Sequence, residues 1–411
     1  MRALAATGCG LAIAAVAALP AGPAVAQEAP CLGETEAANV AAVPGPRLRF
    51  GINPAGTAGA LGPPVEPVPD SPGRTREALE LLEPGPGAPF YVRLNRFFWS
   101  LGPPGIRHYM KLTRRYARRG YLVELQLRYH PRPEQEGDVD AWVRFVRRVV
   151  RKFGAIPNVR ALQVTNEVNF YPIAPDASDS FYAGAREALV RGVIAAKRKA
   201  RRLGHEQLKI GFNWAYRTDP AREQAFWAEV GALGGERFVN AVDWVGLDAY
   251  PGTIFPPVEA PGGYRDGMVN ALSVLRECYL PIAGIGPAVP IKVEENGYPT
   301  LEPIRSYAEQ VVAMREMVGA VDEFRGNYNV TDYRWFDLRD HRTSSLNFQQ
   351  QYGILRDDYT PKPAFDVYAG LVDELSRRRR GPRRLSVATR FQRGGDDGGS
   401  DRDTGPDRRR S

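Results

Sequence analysis

Eight short apolar runs recur between about residues 48 and 337, and each has the length and the residue types of a β-strand. They lie at residues 48–53, 90–97, 121–129, 160–166, 209–214, 243–250, 291–295 and 331–336. Successive runs begin roughly 30 to 50 residues apart, which is the room that a strand, a helix and two loops need. The pattern predicts parallel strands joined by helices.

Apolar residues between these runs repeat with the period of a helix. One stripe is formed by Trp142, Val143, Phe145, Val146 and Val149, with arginines at other positions. Further helical patterns run over residues 185–203, 303–318 and 364–375. Alternating strands and helices with eight repeats predict an α/β protein, a closed (β/α)8 TIM barrel over residues 46–375.

A doubly wound open sheet is the alternative architecture. Such a sheet would more often carry a Gly-rich phosphate-binding turn after its first strand. The corresponding segment here, Gly51-Ile52-Asn53-Pro54, is not such a turn. The barrel is therefore favoured, with loops rich in Pro and Gly at residues 54–74, 251–263 and 281–289 expected to form the walls of a cleft.

The net charge of +8 lies almost entirely at the C-terminus. Residues 377–411 contain twelve arginines and five aspartates, a balance of +7, which leaves about +1 for the rest of the chain. A nearly neutral globular part argues against a nucleic-acid partner. We expect residues 376–411 to form a disordered basic tail, with binding to acidic cell-envelope polymers as the weaker interpretation.

The N-terminus has the parts of a secretory signal. A short basic region at Arg2 precedes an apolar run from Leu11 to Leu19, and Ala24-Val25-Ala26 fits a cleavage site before Gln27. These features predict a signal peptide over residues 1–26, a linker over 27–45, and a secreted or cell-envelope protein with no membrane span after cleavage. A retained anchor is the alternative.

Two cysteines remain after this cleavage, Cys31 and Cys278. In an exported protein, two cysteines are compatible with one disulfide that ties the mature N-terminus to the barrel. Two free, unrelated thiols are the other interpretation.

Two glutamates stand at the downstream ends of strand-like runs. Glu167 closes the segment Val159–Asn169, and Glu295 lies within Pro290–Thr300. In a parallel barrel the catalytic groups stand at the C-terminal ends of the strands, and two opposed carboxyl groups can cleave a glycosidic bond. By the alternation of side chains along a strand, we expect Glu295 to face the cleft and the adjacent Glu294 to point away.

Retaining hydrolysis needs one ionised and one protonated carboxyl group about 5–5.5 Å apart. The hypothesis makes Glu295 the nucleophile and Glu167 the acid/base. Arg93 and Tyr250 would hold the nucleophile ionised, and Asn166 would bond the sugar 2-hydroxyl.

For other strand-end residues the sequence leaves two interpretations open. His130 is either a cleft-lining residue or a structural histidine, and Asp248 either contacts substrate or accepts a hydrogen bond in support of the site. Trp214 and Trp335 could stack on sugar rings, Trp335 being the favoured platform, although aromatic residues also simply fill cores. The chain has only four histidines, without clustered spacing, so a metal site is not expected.

These segments resemble the large clan of retaining barrel glycosidases that includes cellulases, β-galactanases and β-xylosidases. Thr165-Asn166-Glu167 resembles the clan's acid/base signature after strand four, and Glu295-Asn296-Gly297 its nucleophile segment after strand seven. Arg93, His130, Tyr250 and Trp335 fall where relatives have an Arg, a His, a Tyr and a Trp. The segments Tyr352–Leu355 and Thr360–Ala364 resemble the stretch before the clan's last helix.

The resemblance implies hydrolysis of a carbohydrate with retained configuration, without a cofactor or a required metal. It also implies a cis peptide bond between Trp335 and Phe336. One departure is Asp248-Ala249-Tyr250, where many relatives have His-x-Tyr. A glycan-binding barrel without turnover and a transglycosidase are the alternative functions; the sugar, the linkage, endo or exo action and the oligomeric state stay open.

Overall fold

Eight parallel strands close into a barrel in the order of the sequence, with β1 paired to both β2 and β8. This computed structural model describes residues 39–59, 65–85, 87–170, 175–253 and 263–376. The strands are β1 Arg49–Ile52, β2 Tyr91–Phe98, β3 Leu122–Arg128, β4 Val159–Val164, β5 Lys209–Ala215, β6 Trp244–Asp248, β7 Ile291–Asn296 and β8 Val330–Trp335. The predicted (β/α)8 fold is confirmed.

Helices pack around the outside of this barrel. In the described part of the chain the main ones are α1 Pro72–Leu82, α2 Gly102–Ala117, α3 Val139–Phe153, α4 Ala185–Arg202, α5 Pro220–Val239, α6 Gly263–Ser273, α7 Tyr307–Tyr328 and α8 Pro363–Ser376. A π-helical turn, Val274–Tyr279, and a short helix, Leu280–Ile282, continue α6. None of the described helices is long and apolar enough to cross a lipid bilayer.

Helix α3 shows why the apolar stripe forms a helix at this position. Asp138 caps its N-terminus by accepting a hydrogen bond from the backbone of Ala141. The residues of the predicted stripe are all buried against the barrel, whereas Arg144 and Arg147 on the opposite face are exposed. Burial of the stripe therefore holds α3 on the sheet.

Helix α7 differs from the predicted span of residues 303–318. It begins only at Tyr307, because Ser306 acts as its N-cap and accepts a hydrogen bond from the backbone of Glu309. It continues to Tyr328 and ends at Asn329, which adopts the left-handed conformation with φ 52°. The prediction stopped short because the pattern does not show where the stripe ends.

The loop at residues 281–289 is not part of the cleft. It precedes β7, and Asn329 immediately before β8 donates a hydrogen bond to the carbonyl of Pro287 at 3.0 Å. Both segments lie at the N-terminal ends of the strands, opposite the face where catalytic groups stand. Most of the loop at 251–263 lies outside the described residues. The described parts of loop 54–74 do line the cleft, through Thr57, Val65 and Pro67.

The predicted signal peptide and nearly all of the predicted basic tail lie outside the described residues. The last part of the predicted linker packs on α7, where Val43 donates its backbone N–H to the Asn327 side chain at 2.7 Å. Cys278 is buried and disulfide-bonded. Cys31 lies outside the described residues, so the pairing of Cys31 with Cys278 stays a prediction.

Candidate active site

A cleft of about 730 Å³ opens at the C-terminal ends of the strands. It is lined by Glu167 from the end of β4 and by Glu295 from β7. The closest carboxylate oxygens of these two residues and of Asp248 lie within 4.8 Å of one another. The barrel therefore brings together the two glutamates that the sequence singled out.

Glu295 reaches the cleft by a route that simple alternation does not predict. Ile291 and Val293 are fully buried apolar residues, and Lys292 and Glu294 form ion pairs inside the barrel. The register between β6 and β7 shifts next to Asp248, which pairs with Glu295. This irregularity turns two consecutive carboxyl groups inward, so the expectation that Glu294 points away is wrong.

Three donors surround the Glu295 carboxylate. Arg93 donates from Nη1 to Oε1 at 2.7 Å, Gln126 donates from Nε2 to Oε1 at 3.1 Å, and Tyr250 donates from Oη to Oε2 at 2.9 Å. Burial by itself lowers the pKa of Arg93, but Glu295 and Glu294 raise it above its ordinary value, so the guanidinium stays charged. Hydrogen bonds and a positive charge of this kind favour the ionised form of a carboxyl group.

The main chain holds Glu167 in an unusual backbone conformation. Thr165 and Glu167 both have positive φ angles, 66° and 46°, so regular strand alternation ends at Val164. The backbone N–H of Glu167 donates to Oδ1 of Asn213 at 2.9 Å, and Ser178 Oγ donates to the Glu167 carbonyl at 2.7 Å. Left-handed non-glycine residues persist only where neighbours hold them, and they are frequent at functional sites.

The side chain of Glu167 has surroundings opposite to those of Glu295. Among the described residues its one side-chain hydrogen bond is a long one, 3.5 Å from Asn166 Nδ2. Burial first, and then the nearby Glu295 carboxylate, raise the pKa of Glu167 to about 8. The two carboxyl groups therefore have unlike surroundings: three donors bond Glu295, whereas burial and a neighbouring negative charge raise the pKa of Glu167.

Asn166 is fixed in one orientation. Its Oδ1 accepts from Gln126 at 2.8 Å, from Asn213 at 2.9 Å and from Gln163 at 3.2 Å. The donor group Nδ2 bonds the Ala177 carbonyl at 3.1 Å. The residue lines the cleft beside Glu167, so its predicted contact with a sugar 2-hydroxyl remains open to test.

Two predicted aromatic contacts do not reach the cleft. Trp214 is completely buried behind the sheet, where its indole N–H donates to Glu223 at 2.5 Å. Trp335 is also completely buried, with its ring 6.2 Å from that of Tyr368 on α8. Both side chains point from their strands toward the helices, so neither can stack on a sugar in the cleft.

The aromatic surface of the cleft comes from other residues. Phe336, one position after Trp335, faces inward and packs at right angles to Tyr250 with the ring centres 6.2 Å apart. The cis peptide bond in this segment joins Phe336 to Asp337, one position after the bond that the resemblance implied. Phe98, Phe170 and Tyr352 complete the aromatic lining.

His130 supports the wall of the cleft from behind. Its Nε2 lies 3.0 Å from Asp176 Oδ1, and its Nδ1 lies 3.2 Å from Ser100 Oγ. Its ring packs against Phe98 with the centres 4.4 Å apart. The sequence allowed either a cleft-lining or a structural role for His130. These contacts match the structural role, in which His130 positions Phe98.

Three polar residues of the site have roles that were not predicted from the sequence. Gln126, Gln163 and Asn213 join the two glutamates through hydrogen bonds to Glu295, Arg93 and the Glu167 backbone. The signal that could have found them is polarity at alternate positions of otherwise apolar strands. In β3, for example, Glu124, Gln126 and Arg128 all alternate with Val or Leu.

Three carboxyl groups this close together also raise the question of a metal ion. Arg93 already supplies a positive charge to Glu295, and Tyr250 and Gln126 occupy further acceptor positions of the same carboxylate. A hard cation such as Ca²⁺ would need six to eight oxygen ligands. We therefore do not identify these residues as metal ligands.

Neither a protein-family model nor a curated protein matches the sequence. Solved structures do match the fold. A GH5_18 protein from Streptomyces cattleya, determined with GlcNAc, has a TM-score of 0.54 at 17% identity, covering 82% of each chain. The fold that the two chains share is a closed (β/α)8 barrel.

Two further solved structures give the same result. A family 1 β-glucosidase from Thermotoga maritima has a TM-score of 0.53 at 14% identity, and covers 83% of this chain and 100% of its own. A GH1 β-glucosidase from Exiguobacterium antarcticum has a TM-score of 0.51 at 15% identity, covering 80% and 98%. At such low identity the likeness is one of fold, and activity has to be argued from the site.

Proposed function

We propose that the protein is a secreted glycoside hydrolase that cleaves a β-linked glycan with retention of configuration. The observation that carries this proposal is the pair of unlike carboxyl groups. The closest oxygens of Glu167 and Glu295 lie within 4.8 Å, one group bonded by three donors and the other with a raised pKa. Retaining enzymes use carboxyl groups about 5–5.5 Å apart, whereas inverting ones need room for a water molecule between them.

In the first step Glu295 attacks the anomeric carbon and Glu167 gives its proton to the leaving oxygen. The C–O bond to the leaving group breaks as the Glu295–sugar ester forms, so the electron pair leaves with the departing alcohol. In the second step the now ionised Glu167 takes a proton from water, which attacks the ester and releases the sugar and Glu295. No cofactor takes part in this scheme.

The β-linkage is inferred from two sources. Glu167 and Glu295 lie at the ends of β4 and β7, where the sequence resemblance implies an acid/base and a nucleophile, and β-glucosidases are among the matching solved structures. Secretion rests on the N-terminal sequence alone. A sugar acceptor in place of water would convert the same steps into transglycosylation.

The test is a panel of aryl β-glycosides and β-glycan polymers, with the mature wild-type protein beside Glu167→Ala and Glu295→Ala. Glu206→Ala is the matched control, because Glu206 is exposed in the loop before β5 at the other end of the barrel. We expect turnover by wild type and control, and its loss in both site variants. Binding of one glycan without turnover, unchanged in either site variant, would instead support a glycan-binding barrel.

A further inference from the structure

Asp248 forms a third carboxyl group behind the two catalytic candidates. It ends β6, is only 2% exposed, and is absent from the lining of the cleft. One of its oxygens, Oδ2, accepts a hydrogen bond from Nδ2 of Asn213. The other, Oδ1, is buried and has no hydrogen-bond partner among the described residues. A role in direct substrate contact is therefore not supported.

The charges that face Asp248 are mostly of its own sign. Glu167 approaches from β4, Glu295 and Glu294 from β7, and Arg93 from β2. The guanidinium of Arg93 is already engaged by Glu295, Gln163 and Asn95, and it forms an ion pair with Glu294 at 3.2 Å. No ion pair to Asp248 occurs within the described ranges. An ionised carboxylate with a bare buried oxygen in this position would be strongly disfavoured.

We propose that Asp248 stays protonated throughout the reaction and acts as a positioning residue for Glu167. Its link to Glu167 runs through one side chain, since Asn213 donates to Asp248 and accepts from the Glu167 backbone N–H at 2.9 Å. The active form then holds three carboxyl groups with two protons: Glu167 and Asp248 are neutral, and Glu295 is ionised.

The electrostatics point the same way. Burial, and after it the negative charges of Glu295 and Glu167, raise the pKa of Asp248 well above its ordinary value. Glu167 must lose its proton in the first step and hold a negative charge until water is activated. A second negative charge at Asp248 would oppose that ionisation, whereas a neutral acid would not. The kinetic part of this inference rests on the proposed glycosidase function.

The protonation state can be measured without any substrate, which separates this inference from the proposed function. The mature protein is labelled with ¹³C at the aspartate side-chain carboxyl carbon, and the resonance missing from Asp248→Asn identifies Asp248. We expect a resonance of a neutral carboxylic acid at pH 7. A resonance of an ionised carboxylate at pH 7 would overturn the inference, whether or not the protein proves to be a glycosidase.

The pH–rate profile then tests the positioning role. Asp248→Asn keeps the shape of the side chain, its neutral state and an acceptor for Asn213. We therefore expect kcat/KM within roughly tenfold of the wild-type value. The alkaline limb of the pH–rate profile should shift by less than about half a pH unit. An alkaline limb that moves down by about one pH unit or more would show that Asp248 had been ionised in the wild type, because removing a nearby negative charge lowers the pKa of Glu167.

Asp248→Leu removes the acceptor for Asn213. We expect this variant to lower kcat more than it changes KM, and we expect Asp248→Asn to keep the kcat that Asp248→Leu loses. Full activity of folded Asp248→Leu would contradict the positioning role.

Discussion

Glu167 and Glu295 are chemically identical side chains that differ only in what surrounds them. Arg93, Gln126 and Tyr250 all donate to Glu295, while Glu167 has a single long contact with an amide. In the proposed mechanism this difference in surroundings lets one residue attack while the other delivers a proton. The assignment of roles follows from this asymmetry and can be tested one residue at a time.

The pH dependence of activity should report the proton on Glu167. Burial and the adjacent Glu295 raise its pKa to about 8, so the acid form is present below that pH and is lost as the pH rises through it. We therefore expect kcat/KM on substrates with poor leaving groups to fall above about pH 8. In Glu167→Ala, assayed on an aryl glycoside whose leaving group needs no proton, the alkaline limb should disappear. If the limb persists in that variant, another group titrates there.

Arg93 should matter through geometry as well as charge. Its planar guanidinium bonds Glu295 and Gln163 at the same time, which a lysine ammonium cannot reproduce. We expect Arg93→Lys to lower kcat by about 10²–10³-fold, the usual cost of losing a preorganised donor at a reacting group. Arg49→Lys is the matched control, because Arg49 pairs with Asp332 and is partly exposed at the opposite end of the barrel. An equal loss of kcat in Arg93→Lys and Arg49→Lys would contradict this role of Arg93 and would indicate general destabilisation of the barrel.

Both glutamates were predicted to lie in the cleft, but the alternation of side chains does not explain why they do. Strict alternation would put Glu167 on the same face of its strand as Gln163 and Thr165, but left-handed Thr165 interrupts that alternation. Alternation also predicted correctly that Glu295 faces the cleft, although Ile291 and Val293, which would share its face, are packed apolar residues. Bulges and left-handed residues depend on contacts with distant segments, so no local pattern shows them.

At the scale of elements, β8 shows what strict alternation does predict. Asp332 and Arg334 form an ion pair inside the barrel at 2.9 Å. Because alternate residues of a strand share a face, Phe336 lies on the inner side with them and Trp335 lies on the outer side. The clan resemblance pointed to Trp335 because a tryptophan is typical there. Parity along this strand would have selected Phe336 as the cleft aromatic.

Alanine substitutions of Phe336 and Trp335 should have different effects, because the two residues lie on opposite sides of β8. Phe336→Ala should lower kcat/KM by roughly tenfold, about the size of one aromatic stacking contact. Because Phe336 is only 6% exposed, the change should also lower the free energy of unfolding, but by less than Trp335→Ala does. Trp335→Ala should lower the free energy of unfolding by about 3–5 kcal/mol and leave the kinetics of the folded protein nearly unchanged. Urea denaturation and steady-state kinetics on both variants check this. The reverse pattern would put Trp335 in the cleft.

The segment that follows β8 is packed tightly enough to be tested with glycine substitutions. A Cβ atom on Gly353 would lie 2.1 Å from the backbone nitrogen of Asp340, whereas one on Gly370 in α8 would meet nothing within 4 Å. We expect Gly353→Ala to destabilise the fold by about 1–3 kcal/mol. Gly370→Ala should stabilise it by about 0.5–1 kcal/mol, because alanine favours a helix interior. Equal effects of the two changes on the melting temperature would contradict this packing.

The elements themselves were largely predictable. All eight strands lie within two residues of their predicted bounds at each end, because apolar runs bounded by polar turns are a strong local signal. Which face of the barrel a loop joins was less clear: residues 281–289 have the composition of a cleft wall but precede a strand instead of following one. Composition identifies a loop, while connectivity decides its position.

On the scale of the whole molecule, the barrel brings residues together that are far apart in the sequence. Arg93 from β2, Glu167 after β4, Asp248 from β6 and Glu295 from β7 meet at one end of the sheet. Deeper in the barrel, Lys292 and Arg334 each contact Glu124, at 3.4 and 3.3 Å, so buried charges continue below the cleft. Closure of the barrel is thus a condition for the site. That closure was predicted from eight alternating strands and helices and from the lack of a Gly-rich turn after the first strand.

The most direct test of the central claim is the anomeric configuration of the glycosyl azide formed by each site variant in the presence of azide, determined by ¹H NMR. In Glu295→Ala the azide replaces the nucleophile, so the account predicts a product of inverted configuration. In Glu167→Ala the azide attacks the glycosyl-enzyme, so the predicted product has retained configuration. The opposite pair of configurations would exchange the two roles, and the absence of any azide product from either variant on a substrate that wild type turns over would contradict the double-displacement mechanism.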